Sequence, residues 1–249
     1  MTATALKTQP EQQPAHSPTV GALMPKARLD AVRKLAATAR QANQTIAEAN
    51  DETEKAFLIA AGVGAIREAI NGPILADILQ LANTPLGFKT DRPPGAKDRN
   101  GNAMKPYPES VYKDVLTEAL IRGLRVIGNE INIIAGNLYV TKEGLRRLIR
   151  EFPGLRNFDS RIGIPRMIGE NAVVACKASW TIEGKPDSIE CEGDYAIPIR
   201  VNKAMGADAI IGKAESKLWK RAYEKLTGSE FDLSADTEAS ELPTESKQD

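Results

Sequence analysis

Basic residues recur at helical spacing near the carboxyl end of the chain, in the stretch from Asn202 to Gly228. At about 100° per residue, four of these cations fall on one arc of a helix: Lys213, Lys217, Lys220 and Arg221. Ammonium and guanidinium groups gathered on one face can bind the backbone of a polyanion. The same arc could instead be a solvated face that only keeps the protein soluble, so the stretch is a candidate binding helix.

The opposite arc of this helix is apolar and predicts packing against a sheet. Its members are Ala207, Ile211, Ala214, Leu218, Ala222 and Leu226, with Trp219 at the margin. Two acids interrupt the pattern, because Glu215 falls within the apolar arc and Glu224 within the basic one. Gly228 suits the left-handed position that ends a helix. The stretch therefore predicts an amphipathic helix that closes the folded part of the chain.

Side chains for the commonest kinds of catalysis are scarce. The single histidine, His16, lies in a polar N-terminal stretch, so the folded part has no histidine for a triad or a zinc site. The stretch GADAIIGKA at 206–214 has one residue too many for a P-loop and ends in alanine where serine or threonine would bind magnesium. Gly62 and Gly64 lie in a helix-forming segment and are not a dinucleotide fingerprint. We expect no catalytic residues, no cofactor and no bound metal.

One acidic cluster keeps an enzymatic alternative open. Glu190, Glu192 and Asp194 alternate along a predicted strand, so their carboxylates share one face and could hold magnesium in a nuclease. An exposed strand face explains the same pattern equally well.

Length and composition suit one folded domain with flexible ends. The chain has 249 residues, of which 42% are hydrophobic and 27% charged. Residues 1–24 are rich in Thr, Gln, Pro and Ser without an apolar period, and we predict that they are disordered. Residues 229–249 carry seven acids against one lysine, so this acidic tail has a charge of −6 and the rest of the neutral chain +6. A mildly basic body is compatible with a polyanion partner.

The cellular compartment follows from what the chain lacks. No apolar run is long enough to span a membrane, and the N-terminus has no secretory pattern, so we expect a cytoplasmic protein without a membrane partner. Cys176 and Cys191 are too few for a disulfide framework, and we expect reduced thiols. A hairpin turning at Glu183-Gly184 would place the two cysteines opposite each other.

The elements that position these residues predict an α+β fold, in which an antiparallel β-hairpin and a meander pack with helices. Residues 25–228 form a single domain, with a helical arm at 25–82 that breaks near Asn50-Asp51, and a core at 107–228. The remaining elements are an irregular loop (88–108), a helix at 109–122, a helix at 142–151 that Thr141 can cap, and a hairpin (131–134 with 138–140). A strand follows at 172–182, and residues 187–201 form one or two more strands with a likely break at Gly193. Short connections between the strands exclude parallel crossovers within the meander.

Further candidates for nucleic-acid contacts lie upstream of the closing helix. The additional cations are Arg147, Arg161, Arg166, Lys177 and Lys203. Aromatic rings that could stack on bases are Tyr139, Phe158, Trp180 and Trp219. With only 5% aromatic residues in the chain, each ring could instead belong to the core.

Two stretches carry a resemblance to a known family. The stretch EALIRGLRVIGNEINIIAGNLYVTKEGLRRLI at 118–149 and the helix end KRAYEKLTG at 220–228 resemble the annealing core of single-strand annealing proteins, the group of RecT, phage lambda Beta and the eukaryotic annealing proteins. The resemblance covers roughly Tyr107 to Gly228. It implies a phage-type recombinase that binds single-stranded DNA, anneals complementary strands without ATP, and assembles into rings or helical filaments.

The resemblance also implies a role for the closing helix and a set of partners. In such proteins this helix lines a positively charged DNA groove, and the matching residues here are Lys220, Arg221 and Ala222. A phage exonuclease and a host single-strand-binding protein would be further partners. The alternative from another class is a structural or scaffold protein of a phage or mobile element, assembled through the helical arm and without DNA activity.

Overall fold

The computed structural model describes residues 25–98, 100–202 and 205–228, so the disorder predicted for 1–24 and the acidic tail lie outside it. Its N-terminal part is helical, as predicted: α1 is Lys26–Ala47, α2 Glu52–Ala69 and α3 Gly72–Leu79. The break between α1 and α2 occurs where Asp51 accepts a hydrogen bond from the backbone N–H of Glu54 at 2.8 Å. Asn71 caps α3 in the same way through Ile74. Side-chain caps of this kind satisfy the free N–H groups of a first helical turn.

The first sheet is small and mixed. Strand β1 is Lys89–Thr90, β2 Ile131–Ile134 and β3 Asn137–Val140, with helix α4, Glu109–Ile121, between β1 and β2. Strand β1 runs parallel to β2, which pairs with β3 as the predicted antiparallel hairpin. The turn is Ala135-Gly136, and both residues have positive φ, 52° and 80°. Two central residues with positive φ match the twist of the flanking strands.

A first hydrophobic core joins the arm, helix α4 and this sheet. Its fully buried side chains include Ile66, Phe88, Leu116, Ile131 and Ile133. The predicted irregular loop is anchored in this core by its first residue, Phe88, whose side chain is 0% exposed. The arm is thus packed into the domain along one side.

The C-terminal half carries two further antiparallel sheets. Helix α5, Lys142–Arg150, is capped by Thr141 as predicted. The strands are β4 Leu155–Ile162, β5 Arg166–Ile168, β6 Asn171–Val174, β7 Cys176–Ile182, β8 Lys185–Cys191 and β9 Ile197–Arg200. The sheet orders are β4-β7-β8 and β5-β6-β9. The strand predicted over 172–182 is therefore two strands, which separate at Ala175 and enter different sheets.

Helix α6, Ala207–Thr227, packs against both C-terminal sheets and completes a second core. It ends at Gly228, whose φ of 64° is the predicted left-handed conformation. Together these elements confirm the α+β fold with a hairpin, a meander and packed helices.

No single helix in the described ranges is both long and apolar enough to cross a membrane. Helices α2 and α3 meet that test only as a pair, and their axes bend by 84° at the break between them.

Candidate nucleic-acid interface

Helix α6 buries one face through residues spaced four apart. These are Ile210, Ala214, Leu218 and Ala222, all 5% exposed or less. The predicted apolar arc differs from the buried face at two positions, because Ile210 is buried while Ile211 is half-buried, and Ala207 is exposed. The buried residues follow one i, i+4 ridge of the helix. The predicted arc instead combined steps of three and four residues, and so it included Ile211 rather than Ile210.

Glu215, predicted to interrupt the apolar arc, binds helix α5. Lys142 Nζ and Arg146 Nη2 donate to its two carboxylate oxygens at 2.9 Å and 2.6 Å. Burial on its own would raise the pKa of Glu215, but these two hydrogen bonds and the two positive charges outweigh it and lower the pKa. Glu215 is therefore an ionic clamp between α5 and α6, and it neutralises two cations close to the predicted basic stripe.

Two cations of the basic stripe extend to the ends of neighbouring strands. Lys217 Nζ donates to the carbonyl oxygen of Pro198 in β9 at 3.1 Å. Arg221 Nη1 lies 3.3 Å from the Sγ of Cys191, the last residue of β8. Both side chains therefore lie along the connection from β8 to β9, which contains a 3₁₀ turn at Gly193–Tyr195.

A cleft beside this connection brings together cations that are far apart in the sequence. We call it the Arg166–Arg221 cleft; it encloses about 860 Å³. Its lining includes Arg166, Ile168, Val173, Tyr195, Pro198 and Arg221. Asp194 is the one acid of the lining, against two guanidinium groups. Arg166 and Arg221 were both predicted to bind DNA, and β5 and α6 place them on one concave surface.

Tyr195 is the residue of this cleft that the sequence did not single out. Its side chain is 79% exposed at the end of the 3₁₀ turn. Large apolar side chains are also exposed at Ile164, Met167 and Ile168, at 88%, 58% and 61%. An exposed ring next to two guanidinium groups has the chemistry for stacking on a nucleobase. The sequence signal that could have identified this residue is a tyrosine directly after Gly193-Asp194, where two strands separate.

The other two cations of the stripe lie deeper. Lys213 is half-buried, and burial, together with the nearby positive charge of Lys217, lowers its pKa. An anion beside Lys213 and Lys217 would stabilise the charged form of Lys213 and offset both causes of its lowered pKa. Lys220 Nζ lies 3.9 Å from a carboxylate oxygen of Glu224, and its side chain is only 14% exposed. The acid that interrupts the basic arc is thus the partner of one of its lysines.

Arg147 is held inside the protein. Its Nε and Nη2 donate to the two carboxylate oxygens of the buried Glu130 at 2.6 Å and 2.7 Å, and Nη2 also donates to the carbonyl oxygen of Gly123. Burial opposes the charge of Arg147, but the hydrogen bonds to Glu130 and Glu151 outweigh it and raise the pKa. With its donors committed and its side chain 14% exposed, Arg147 is a structural residue, and we leave it out of the interface.

Arg161 and Lys177 lie directly opposite each other on β4 and β7. Each has an acid beside it. Arg161 Nε lies 3.2 Å from a carboxylate oxygen of Asp159, and Lys177 forms an ion pair with Glu190 of the neighbouring strand β8. Neither cation is part of the lining of the Arg166–Arg221 cleft. This outer sheet face therefore alternates in sign, which weakens its attraction for a polyanion.

The predicted stacking rings lie away from the cleft. Phe158 stacks between Trp180 and Trp219, with ring centroids 5.9 Å and 4.6 Å apart, in the second core. Tyr139 lies in β3, opposite Asn132, and is half-buried. The rings of Phe158, Trp180 and Trp219 belong to the second core or its margin, as the alternative interpretation allowed.

The two cysteines are opposite each other in the β7–β8 pair, as predicted, and both are buried free thiols. Burial, with the nearby Cys191 as a smaller cause, raises the pKa of the Cys176 thiol to about 11. The hairpin turns at Glu183-Gly184, where both residues have positive φ.

The acids proposed for a nuclease site do not converge. Within the described ranges, no three histidine, cysteine, aspartate or glutamate side chains are grouped so that they could hold a metal ion. Glu190 is paired with Lys177, and Asp194 belongs to the cleft lining. Lys203, the last predicted contact, lies outside the described residues.

No protein-family model, curated protein or solved structure matches this chain.

Proposed function

We propose that this protein binds single-stranded DNA and anneals complementary strands without ATP, in phage-type homologous recombination. The observation that carries the proposal is the Arg166–Arg221 cleft. It combines two guanidinium groups with a tyrosine that is 79% exposed. Arginines neutralise phosphates and release their counterions, and an exposed ring stacks on any base. This combination favours binding that depends little on sequence.

Annealing requires little chemistry from the protein. The free energy comes from base pairing, so the protein has to concentrate the strands and leave their bases accessible. Arg166 and Arg221 would hold the backbone, with Lys217 beside them, while Tyr195 would take one base. Bases that lie outside the cleft would stay free to pair with a complementary strand. Neither a nucleotide site nor a metal is needed for such a step.

Assembly through the helical arm is part of the proposal. Helix α2 exposes Phe57 at 74% and Ile59 at 38%, and α1 exposes Val32 at 38%. Exposed large apolar side chains on adjacent helices are a feature of protein–protein contacts. A ring or a helical filament built through this arm would hold one strand in many clefts. In the cytoplasm of a phage-infected cell, an exonuclease and a host single-strand-binding protein would be partners of such an assembly.

The second candidate function is a phage scaffold protein without DNA activity. The same exposed residues of the arm favour it, because they support assembly whether or not the cleft binds DNA. The two candidates differ in what the Arg166–Arg221 cleft does.

Annealing of two complementary oligonucleotides tests the proposal, followed by fluorescence with no nucleotide or metal added. We expect acceleration over the protein-free reaction at low salt, lost as salt rises, because counterion release drives the capture. We also expect the rate to rise more steeply than linearly with protein concentration, because several subunits hold each strand. Assembly without any acceleration at low salt would support the scaffold function and contradict the annealing function.

A further inference from the structure

The guanidinium group of Arg92 makes no hydrogen bond or ion pair with a described residue. Its Cζ lies 4.1 Å from the centroid of the Tyr107 ring, so the planar group stacks on the phenol. Its Nε is buried and makes no hydrogen bond to any described residue. Of the three guanidinium nitrogens, only Nε is both buried and without a hydrogen bond. Arginine carries five donors, and those that no protein group takes are open to an anion.

The platform below Arg92 is rigid. The Tyr107 hydroxyl donates to Asp91 Oδ1 at 2.8 Å, and Asp91 Oδ2 accepts from the backbone N–H of Ala135 at 2.9 Å. The Tyr107 ring also packs edge to face on Tyr112, with centroids 6.3 Å apart. Burial, with help from the hydrogen bond to Asp91, raises the pKa of Tyr107 to about 12, so the phenol remains a donor near neutral pH. Arg92 is therefore held in position before any ligand arrives.

The irregular segment 88–108, which contains Arg92, also carries exposed lysines. Three exposed lysines of this segment make no ion pair with a described residue: Lys89, Lys97 and Lys105. The two acids of the segment are used internally. Asp91 holds Tyr107, and Asp98 accepts from the N–H groups of Asn100 and Asn102, which lower its pKa.

The segment folds back on itself rather than extending freely. Lys97 forms a β-bridge with Ala103, and the backbone N–H of Met104 donates to the carbonyl oxygen of Ala96 at 2.8 Å. The Asp98 turn closes the end of this fold-back. The two acids are thus hydrogen-bonded within the segment, whereas Lys89, Lys97 and Lys105 make no ion pair with a described residue.

We infer that Arg92 and the lysines of segment 88–108 form a second phosphate-binding surface, which takes the phosphodiester backbone of a single-stranded nucleic acid. A guanidinium held flat presents two parallel N–H groups, a geometry that fits two oxygens of one phosphate. The surface is built on the first core, whereas the Arg166–Arg221 cleft is built on the second. One subunit would therefore hold two strand segments, as the pairing of two strands requires. The identity of the ligand rests on the proposed function.

The test measures the affinity of the full chain for oligothymidylate across a salt series. Replacing Arg92 with Gln should weaken binding about tenfold and reduce the salt slope by about 0.7, the value for one phosphate contact on a single strand. Arg92→Lys should restore the slope but not the full affinity, because an ammonium group cannot stack or bind bidentately. The control is Lys185→Gln at the start of β8, an exposed lysine outside both surfaces and outside the helical arm.

A second variant guards against misfolding. Lys97→Gln with Lys105→Gln changes only exposed side chains and should reduce the salt slope by about 1.4 at an unchanged melting temperature. Unchanged affinity and slope in both variants, with weakened binding in Arg166→Gln/Arg221→Gln, would overturn this inference alone. Failure of the unmodified chain to bind oligothymidylate would overturn the proposed function as well.

Discussion

Individual cations differ widely in what the protein leaves for a ligand. Arg147 and Arg146 both belong to the RRLIR run of helix α5, yet Glu130 and Glu215 bind them internally. Arg166 and Arg221 instead line an open cleft. Formal charge therefore says little about binding, since a cation with a protein partner gains less from a phosphate. The pairing of each cation decides its role, and this pairing depends on tertiary contacts.

Tyr195 gives a prediction at the residue scale. Tyr195→Ala should weaken the binding of single-stranded DNA by about 1–3 kcal/mol, because base stacking on one ring has that magnitude. Fluorescence anisotropy with oligothymidylate measures the change. Tyr195→Phe is the matched control and should bind like the unmodified protein, because it keeps the ring. If Tyr195→Ala binds as tightly as Tyr195→Phe, the ring takes no part in binding.

At the scale of elements, the clamp between α5 and α6 holds helix α6 in place. Glu215 accepts from Lys142 and Arg146 with its side chain 20% exposed. Removing one charged partner leaves the other charges unsatisfied in a partly buried place. The clamp thereby holds the helix from which Lys217 and Arg221 project.

Replacing Glu215 with Gln should lower the free energy of unfolding by about 1–3 kcal/mol at neutral pH. The folded protein lowers the pKa of Glu215 below its ordinary value of 4.5. The stabilisation is therefore complete above about pH 4.5 and disappears as the pH falls through the lower pKa of the folded state. Urea unfolding of both proteins at neutral and acidic pH measures this. A difference between the proteins that stays the same, or grows, toward low pH would contradict the clamp.

The elements most easily predicted from the sequence are those with local signals. Asp51 and Thr141 cap helices, and Gly228 ends one, because each acts within a few residues of its own position. The turn at Glu183-Gly184 was found for the same reason. Strands β4 and β5 were missed. The residues of β4 alternate between half-buried and exposed around polar Asp159 and Arg161, and their pairing with β7 is a long-range contact.

At the scale of the whole molecule, two hydrophobic cores carry two basic surfaces. The Arg166–Arg221 cleft combines strand β5, the β8–β9 connection and helix α6, which no local pattern connects. The sequence indicated two of its cations but not the exposed ring, because exposure depends on how the strands are ordered in the sheets. It also indicated Arg147 and Lys177, whose acidic partners Glu130 and Glu190 are brought to them by folding, and Arg161, whose acidic neighbour Asp159 is two residues away in the sequence.

The most direct test of the central claim is the salt dependence of oligothymidylate binding in Arg166→Gln/Arg221→Gln. The control is Arg150→Gln/Lys185→Gln, which removes two exposed cations that lie outside the cleft lining and outside the helical arm. We predict that the cleft variant binds more weakly and that its salt slope is smaller than that of the unmodified protein by about 1.4, the value for two phosphate contacts. The control should keep the original slope. Equal slopes in the cleft variant and the unmodified protein would contradict the claim that this cleft holds the DNA backbone.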